Sequence, residues 1–520
     1  MKNLVILALV TVIALSLGSC SNDLLNLNNP NALVSETSWT TQSDVEKGLT
    51  GAYHTLYNSF YNGFNAFLID GQSDEFYSQS PDADLAALVN LKYDNYSQRW
   101  NLYSWQYLYQ SVFRCNQVIV FADQVAWDNE TTKNEVVAQA RALRAMNYYY
   151  LGMLYKKAPI VDWISSPDDK PKEATFEEIC NFVEKDLKFA QNYLPEKWKE
   201  PGRVNKDFAT CFLGKLYMNS GRFAEAKEEF AKIVKSGRYQ LTKNYRDNFR
   251  HDTENNCESI WETQNSDEVQ NWGGYWSIPN DGSECCFASY REKFLAASPG
   301  GWGDYSVYQW MVDMYKDEKT RDGHYDTRLR DNIVYPDLFK DFPGEKVYME
   351  ITQWDNSHWS NRCWCRKYTT DYYRKASEVT QWSPINQRIL RYGDILLCYA
   401  ECLIESEGAS AIPEATKYVD MIRERVNLYP LAESVHKDCL KSLDAFKKRL
   451  RIEREKETCF EYDRFFDMRR YGLGTDEGYT NSVKARCQKF QLNWKNGHQW
   501  LPIPTSDVAN NPNLTQNKGY

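Results

Sequence analysis

The sequence predicts a mainly α-helical protein built from antiparallel helix pairs, with one loop-rich stretch interrupting them and an export segment in front. Three observations predict this. Residues 208–237, "FATCFLGKLYMNSGRFAEAKEEFAKIVKSG", carry two apolar stripes at helical spacing around a Ser-Gly turn. Residues 238–391 carry Gly, Pro, Asn and aromatics without a sustained helical period. The first 17 residues read basic, then apolar, and "LGSC" follows at Leu17 to Cys20.

The N-terminal run, Leu4 to Leu17, holds 14 uncharged residues behind Lys2. A membrane-spanning helix needs about 20, so the run is too short to cross comfortably and has a secretory layout. The cysteine explains the small residues before it. Leu17 to Cys20 looks like a bacterial lipoprotein box, in which the thiol is acylated and the chain is cut just before it. Cys20 is then the expected lipid anchor and residues 1–19 the signal peptide, since each buried CH₂ of an acyl chain contributes about 0.8 kcal/mol. A plain signal peptide with a chance cysteine is the alternative.

The remaining 501 residues (520 minus 19) suffice for a large core. The net charge of −9 and pI near 5.5 exclude an electrostatic nucleic-acid binder and give no attraction to an anionic membrane surface. Thirteen cysteines besides Cys20 form no regular disulfide framework or zinc pattern. Cys285 and Cys286 are adjacent, Cys363 and Cys365 are one residue apart, and Cys398 and Cys402 share a helical face. Buried structural thiols are the expectation, with no metal.

Several helices are expected before and after the loop-rich stretch. One covers residues 100–122. Val136, Ala140, Leu143, Met146, Tyr150 and Met153 stripe another. "TFEE", Thr175 to Glu178, is a capping box opening a third, with Ile179, Val183, Leu187 and Ala190 inward and Pro195 ending it. In residues 208–237, Leu213, Gly214, Tyr217, Ala226 and Phe230 match the spacing of a tetratricopeptide (TPR) pair, and small Gly214 and Ala226 allow close approach. Tyr392, Ile395, Leu396, Tyr399 and Leu403 stripe a later helix, and Pro413 opens its partner. The expected partition is therefore 20–237, 238–391 and 392–520.

Four segments carry a resemblance. "QARALRAMNYYYLGMLY" (139–155), "LRYGDILLCYAECLIES" (390–406), "LDAFKKRLRIEREKETCFEYDRFFDMRRYG" (443–472) and "WLPIPTSDVANNPNLTQNKGY" (500–520) resemble the SusD/RagB family of Bacteroidetes outer-membrane lipoproteins. "WTTQSDVEKGLTGAYHTLY" (39–57) and the lipoprotein box agree, so the resemblance covers nearly the whole chain. It implies a right-handed superhelix of about four TPR-like helix pairs, with a loop-rich, irregular insertion packed on it. It also implies no enzyme activity and no cofactor. The implied role is capture of oligosaccharides at the cell exterior, as the lid of a TonB-dependent, SusC-like transporter. One departure stands out: "CSNDLL" has only Asp23 after the cysteine, whereas surface-exported lipoproteins of these bacteria usually carry several acids there. In the marker segment, Phe465, Phe466, Met468, Arg469 and Arg470 read as a core face mixed with a buried ion-pair network.

Sugar rings present C–H faces that stack on aromatics, while amides, acids and Arg bind hydroxyls at the rim. Five of the 17 Trp fall in residues 261–310, so the search centres there. "NWGGYWSIPNDGS" (271–283) offers Trp272, Tyr275 and Trp276; "PGGWGDYSVYQW" (299–310) offers Trp302, Tyr305 and Trp310. The family's ligand arc also draws on the segment entering the helix near residue 100, which implies Trp100 and Asn101. Residues 354–373, with Trp354, Trp359 and Trp364, form a lower-ranked cluster that alternates like paired strands. Asp70, Asp74 and Glu75 in "IDGQSDEFY" are carboxylates expected to cap a helix or bond a ligand hydroxyl, and an acid–base pair would need a separation the sequence does not give. Peptide capture on the same fold, a surface glycosidase and a TPR adaptor remain alternatives.

Overall fold

The computed structural model describes residues 39–58, 60–64, 68–95, 99–268 and 287–520. Its ten principal helices are α1 (Gln42–His54), α2 (Arg99–Ala122), α3 (Glu130–Tyr155), α4 (Phe176–Tyr193), α5 (Lys206–Asn219), α6 (Phe223–Val234), α7 (Tyr392–Glu407), α8 (Ile412–Arg425), α9 (Leu443–Thr458) and α10 (Arg464–Arg470). From α1 to α8 each packs on the next, so four consecutive pairs stack in sequence order, and α9 covers α7 and α8. No helix among the described residues is long and apolar enough to cross a membrane.

Local chemistry explains where these helices begin. Thr175 and Glu178 close the expected box: the Glu178 N–H donates to the Thr175 hydroxyl at 3.2 Å, and the Thr175 N–H donates to the Glu178 carboxylate at 2.7 Å. Thr41 and Asp44 do the same for α1. Asn205 caps α5 and Pro413 sits in the first turn of α8. The α5–α6 pair is close because residue 214 has no side chain. A Cβ there would stand 2.4 Å from Phe230 Cε1, so the ring rests on the glycine backbone. Gly221, at φ +80°, makes the turn between the two helices.

Between α6 and α7 the elements are short. The strands pair antiparallel in twos: β1 (Phe76–Ser78) with β5 (Tyr305–Val307), β2 (Ala158–Pro159) with β3 (Glu173–Ala174), β4 (Ser259–Glu262) with β8 (Arg388–Arg391), and β6 (Ile333–Val334) with β7 (Trp364–Cys365). The β4–β8 ladder brings the start and the end of the loop-rich stretch side by side. The alternation near Trp364 is thus strand pairing, with the partner 30 residues upstream. The largest core cluster runs from Ala52 to Leu514 and takes residues from all three expected segments, with two smaller clusters beside it.

Buried ion pairs join the short-element region to the helices. Glu457 of α9 accepts from Arg391 at 2.6 Å, Arg425 at 2.5 Å and Arg328 at 3.1 Å, and all four side chains are buried. Burial opposes the Glu457 charge, but the three guanidiniums outweigh it and hold the carboxyl below the usual range. A second network ties α5, α7, α9 and α10: Arg454 to Asp394 and Asp467, both at 2.6 Å, Lys215 to Asp394 at 2.8 Å, and Arg470 to Glu401 at 2.6 Å. The marker segment therefore does form a buried network. Arg469 stands apart from it, donating to the Met153 carbonyl and lying 3.8 Å from the Trp500 ring.

Candidate functional site

The structure separates the predicted site residues into three groups. Trp272, Tyr275 and Trp276, and the expected anchor Cys20, lie outside the described residues. Trp302 is at the surface, 42% exposed, edge-on to Phe294 with ring centroids 4.9 Å apart. Its backbone N–H donates to the Lys293 carbonyl at 2.6 Å, which holds the loop against the short helix Arg291–Leu295.

The third group is corrected by burial. Trp100, in the first turn of α2, is fully buried. Asn101 is buried too, and its amide donates to the Pro502 carbonyl at 2.8 Å. Tyr305 is fully buried in β5, with its ring edge-to-face against Phe76 at 5.4 Å. None of the three presents a face to a ligand. Trp310 donates its indole N–H to the Asp74 carbonyl. In the lower-ranked cluster, Trp359 and Trp364 are buried as well: Trp359 donates to the Ser298 carbonyl at 2.7 Å, and Trp364 to the Trp359 carbonyl at 3.2 Å. Trp354 is half-buried against Trp359.

The carboxylates of residues 70–75 neither cap a helix nor face solvent. Asp70 pairs with Arg291 at 3.0 Å and accepts the Tyr462 N–H. Asp74 takes Arg464 at 2.8 Å and Arg486 at 2.5 Å. Glu75 accepts the Phe460 N–H, and burial, with Glu455 and Asp70 close by, pushes it well above the carboxylate range. Asp317, Glu318 and His436 also converge, but Arg449, Lys456 and Arg423 already pair with the two carboxylates. Among the described cysteines all are free thiols, and all but Cys257 are buried.

What the structure adds is an aromatic group built around His251, Tyr372 and Tyr373. The Tyr372 and Tyr373 rings lie 4.8 Å apart, and His251 lies 4.4 Å from Tyr373 and 5.8 Å from Tyr372. The His251 N–H donates to the Tyr372 hydroxyl at 2.8 Å. All three side chains are partly exposed. Arg250 lies over Tyr372 at 4.2 Å and Arg374 beside Tyr373 at 5.1 Å. Burial keeps His251 below the usual imidazole range, so it is neutral at pH 7, and pushes the Tyr373 hydroxyl up to about 12. The group thus offers neutral ring faces with a charged rim.

This group stands at the stem of residues 269–286. The Ser266 N–H donates to the Phe287 carbonyl at 2.8 Å, so the chain leaves and returns at one place. Asp267, next to Ser266, pairs with Arg374 at 2.6 Å. Contacts continue from there towards Trp302. Arg374 donates to the Trp382 carbonyl, Trp382 packs edge-on to Tyr290, and Tyr290 precedes the helix that carries Lys293 and Phe294. Met349, 47% exposed, bridges the same ground: its N–H donates to the Asp371 carbonyl, and the neighbouring Tyr348 ring fills the space over Gly300. Adjacent tyrosines in "DYY", next to a histidine far upstream, carry little signal on their own.

Two family models match the chain. One, the SusD family, covers residues 257–520; the other, described as "Starch-binding associating with outer membrane", covers residues 23–218. The chain belongs to the SusD family. It is 24% identical over 535 residues to SusD-like protein P2 of Formosa agariphila, covering 98% of each chain. A SusD superfamily protein from Bacteroides vulgatus shares the fold at a TM-score of 0.78 and 22% identity, over 93% of this chain and 100% of that one. Surface glycan-binding protein A from Bacteroides thetaiotaomicron, solved in complex with laminarihexaose, matches at a TM-score of 0.72 and 21% identity, over 92% and 100%. The helical architecture of this SusD-family chain is thus shared with solved relatives.

Proposed function

We propose that this SusD-family protein is a lipid-anchored, cell-surface glycan-binding protein that captures oligosaccharides without turning them over and hands them to a TonB-dependent, SusC-like transporter. The observation that carries the reading is the partly exposed ring set Trp302, Tyr372 and Tyr373 around the stem of a segment that itself holds Trp272, Tyr275 and Trp276. Neutral ring faces suit sugar C–H groups, and Arg374, Asp267 and Arg250 suit hydroxyls at the rim. The laminarihexaose complex of the Bacteroides thetaiotaomicron relative and the "starch-binding" description of the N-terminal family model support the ligand class. The burial and pairing of Asp70, Asp74 and Glu75 support capture over hydrolysis, since those acids face protein cations and amides.

The deciding test is an array of oligosaccharides and peptides probed with the chain starting after Cys20. Binding of one glycan class, with the glycan recovered uncleaved, is expected; binding only to peptides, or cleavage, overturns the reading. Anchoring has its own test: Cys20→Ala should leave a folded protein in the soluble fraction, and retention on membranes after a high-salt wash contradicts a lipid anchor. Gentle detergent extraction should co-purify a large β-barrel, because a tethered binder beside a pore raises the effective concentration of its ligand there. Recovery of this chain alone under conditions that preserve such complexes argues against the transporter.

A further inference from the structure

A cleft of about 880 Å³ lies away from the aromatic group, between α2, the loop at residues 159–171 and the short helix Thr505–Asn510. Its volume is in the range of small-ligand sites. One wall is a helix face. Trp105, Tyr109 and Phe113 recur at four-residue steps, which places them about 6 Å apart along one side of α2. Gln106 and Gln110 follow at the next positions and form an amide stripe beside the aromatic one.

The polar tips of two rings are already committed. The Trp105 indole N–H donates to Asp507 at 3.1 Å, and the Tyr109 hydroxyl donates to the Pro159 carbonyl at 2.7 Å. The two rings are 5.0 Å apart at 55°. Trp105 is almost fully buried, so Tyr109 and Phe113, both partly exposed, supply the open faces. Asp169 of the loop wall is held from outside the lining, by the Trp163 indole N–H at 2.9 Å. The side-chain amides of Gln106 and Asn510 make no hydrogen bond among the described residues. The lining carries two carboxylates, Asp169 and Asp507, and one ammonium, Lys170, so it does not select an anion.

We infer that this cleft is a second carbohydrate site, which takes a neutral oligosaccharide segment through stacking on Tyr109 and Phe113 and hydrogen bonds to Gln106 and Asn510. The inference rests on the glycan reading above. Two sites on one chain would hold a long glycan at two points and raise its effective concentration at each.

The test is hydrogen exchange on the full mature chain with laminarihexaose, maltohexaose, mannohexaose and xylohexaose as probes, followed by calorimetry with whichever binds. Protection is expected both around Trp302 and Tyr372–Tyr373 and in residues 105–113 with 159–171. Phe113→Ala, and separately Gln106→Ala with Asn510→Ala, should weaken the cleft site about 2- to 12-fold and leave the other site unchanged. Protection confined to the Trp302 region overturns the second site and leaves the glycan reading standing. Protection of α2 that both variants leave intact also overturns it, as transmitted stiffening. No protection by any probe, together with a silent glycan array, overturns both.

Discussion

The stacked helices and the stretch between α6 and α7 are held together by different means. Helices α1, α3, α4, α5 and α9 start at side-chain caps and the stack buries periodic stripes between sequence neighbours, with buried ion pairs added among α5, α7, α9 and α10. The intervening stretch has short strands and helices, which are marginal alone. It is fastened by partners far along the chain: Arg391 and Arg328 reach Glu457, and Lys367 reaches Glu461 at 2.8 Å. The partly exposed aromatics sit on the region held from a distance. In this chain the helices supply stiffness, and the irregular region, pinned by buried charge, carries Trp302, Tyr372 and Tyr373.

The sharpest way to break this comparison is to cut the pins. Glu457→Ala leaves the buried guanidiniums of Arg328, Arg391 and Arg425 short of their shared carboxylate, which should cost about 3–5 kcal/mol. Differential scanning calorimetry should show a large fall in the melt, and limited proteolysis should cut first within residues 238–391. Early cleavage in α3 to α6 instead would place the weakness in the helices.

A smaller effect tests the helical side alone. Gly214→Ala puts a methyl group into the Phe230 ring and should cost about 1–3 kcal/mol by overpacking. Glycan affinity per folded molecule should not change. A neutral effect on the melt would mean that α5 and α6 separate freely, contrary to their close packing.

Acid and base should act through different carboxyls. Glu457 and Asp394 have carboxyls held below the usual range, so their stabilisation is present above about pH 4.5 and is lost as pH falls below it. Glu254 and Glu292 are raised by burial from 4.5 to about 8 and about 7, so the folded state holds their protons more tightly. Their effect destabilises progressively as pH rises from about 4.5 to 8. Hydrogen exchange, corrected for intrinsic rates, should show protection near residues 254 and 292 weakening from pH 5 to pH 8 while α9 holds. Below pH 4, α9 should loosen. Parallel weakening of both regions between pH 5 and pH 8 would contradict the assignment.

The sequence reading reached the helices because their signals are local. Thr175 and Glu178 act within one turn of chain, and Gly214 and Phe230 belong to adjacent helices joined by the short Ser-Gly turn. It reached the irregular region only as a lack of period. Burial of single aromatics was out of reach, because it depends on distant contacts. Asn101 meets Pro502, 401 residues away, and Tyr305 meets Phe76 across the β1–β5 pairing. A tryptophan among small and polar residues looks alike whether it faces water, as Trp302 does, or lies against Ser298, as Trp359 does. His251 and Tyr372, 121 residues apart, could not be joined by spacing at all.

The most direct test compares rings assigned to the surface with one assigned to the core. The double variant Trp302→Ala with Tyr373→Ala would be titrated by calorimetry against the oligosaccharide selected on the array, and melted alongside Trp100→Ala. The account predicts that the double variant loses about 5- to 150-fold in affinity and melts within a degree or two of the parent, whereas Trp100→Ala loses about 3–5 kcal/mol of stability. Full affinity in the double variant, or a melt that collapses as far as that of Trp100→Ala, would show that these rings hold the fold and not the glycan.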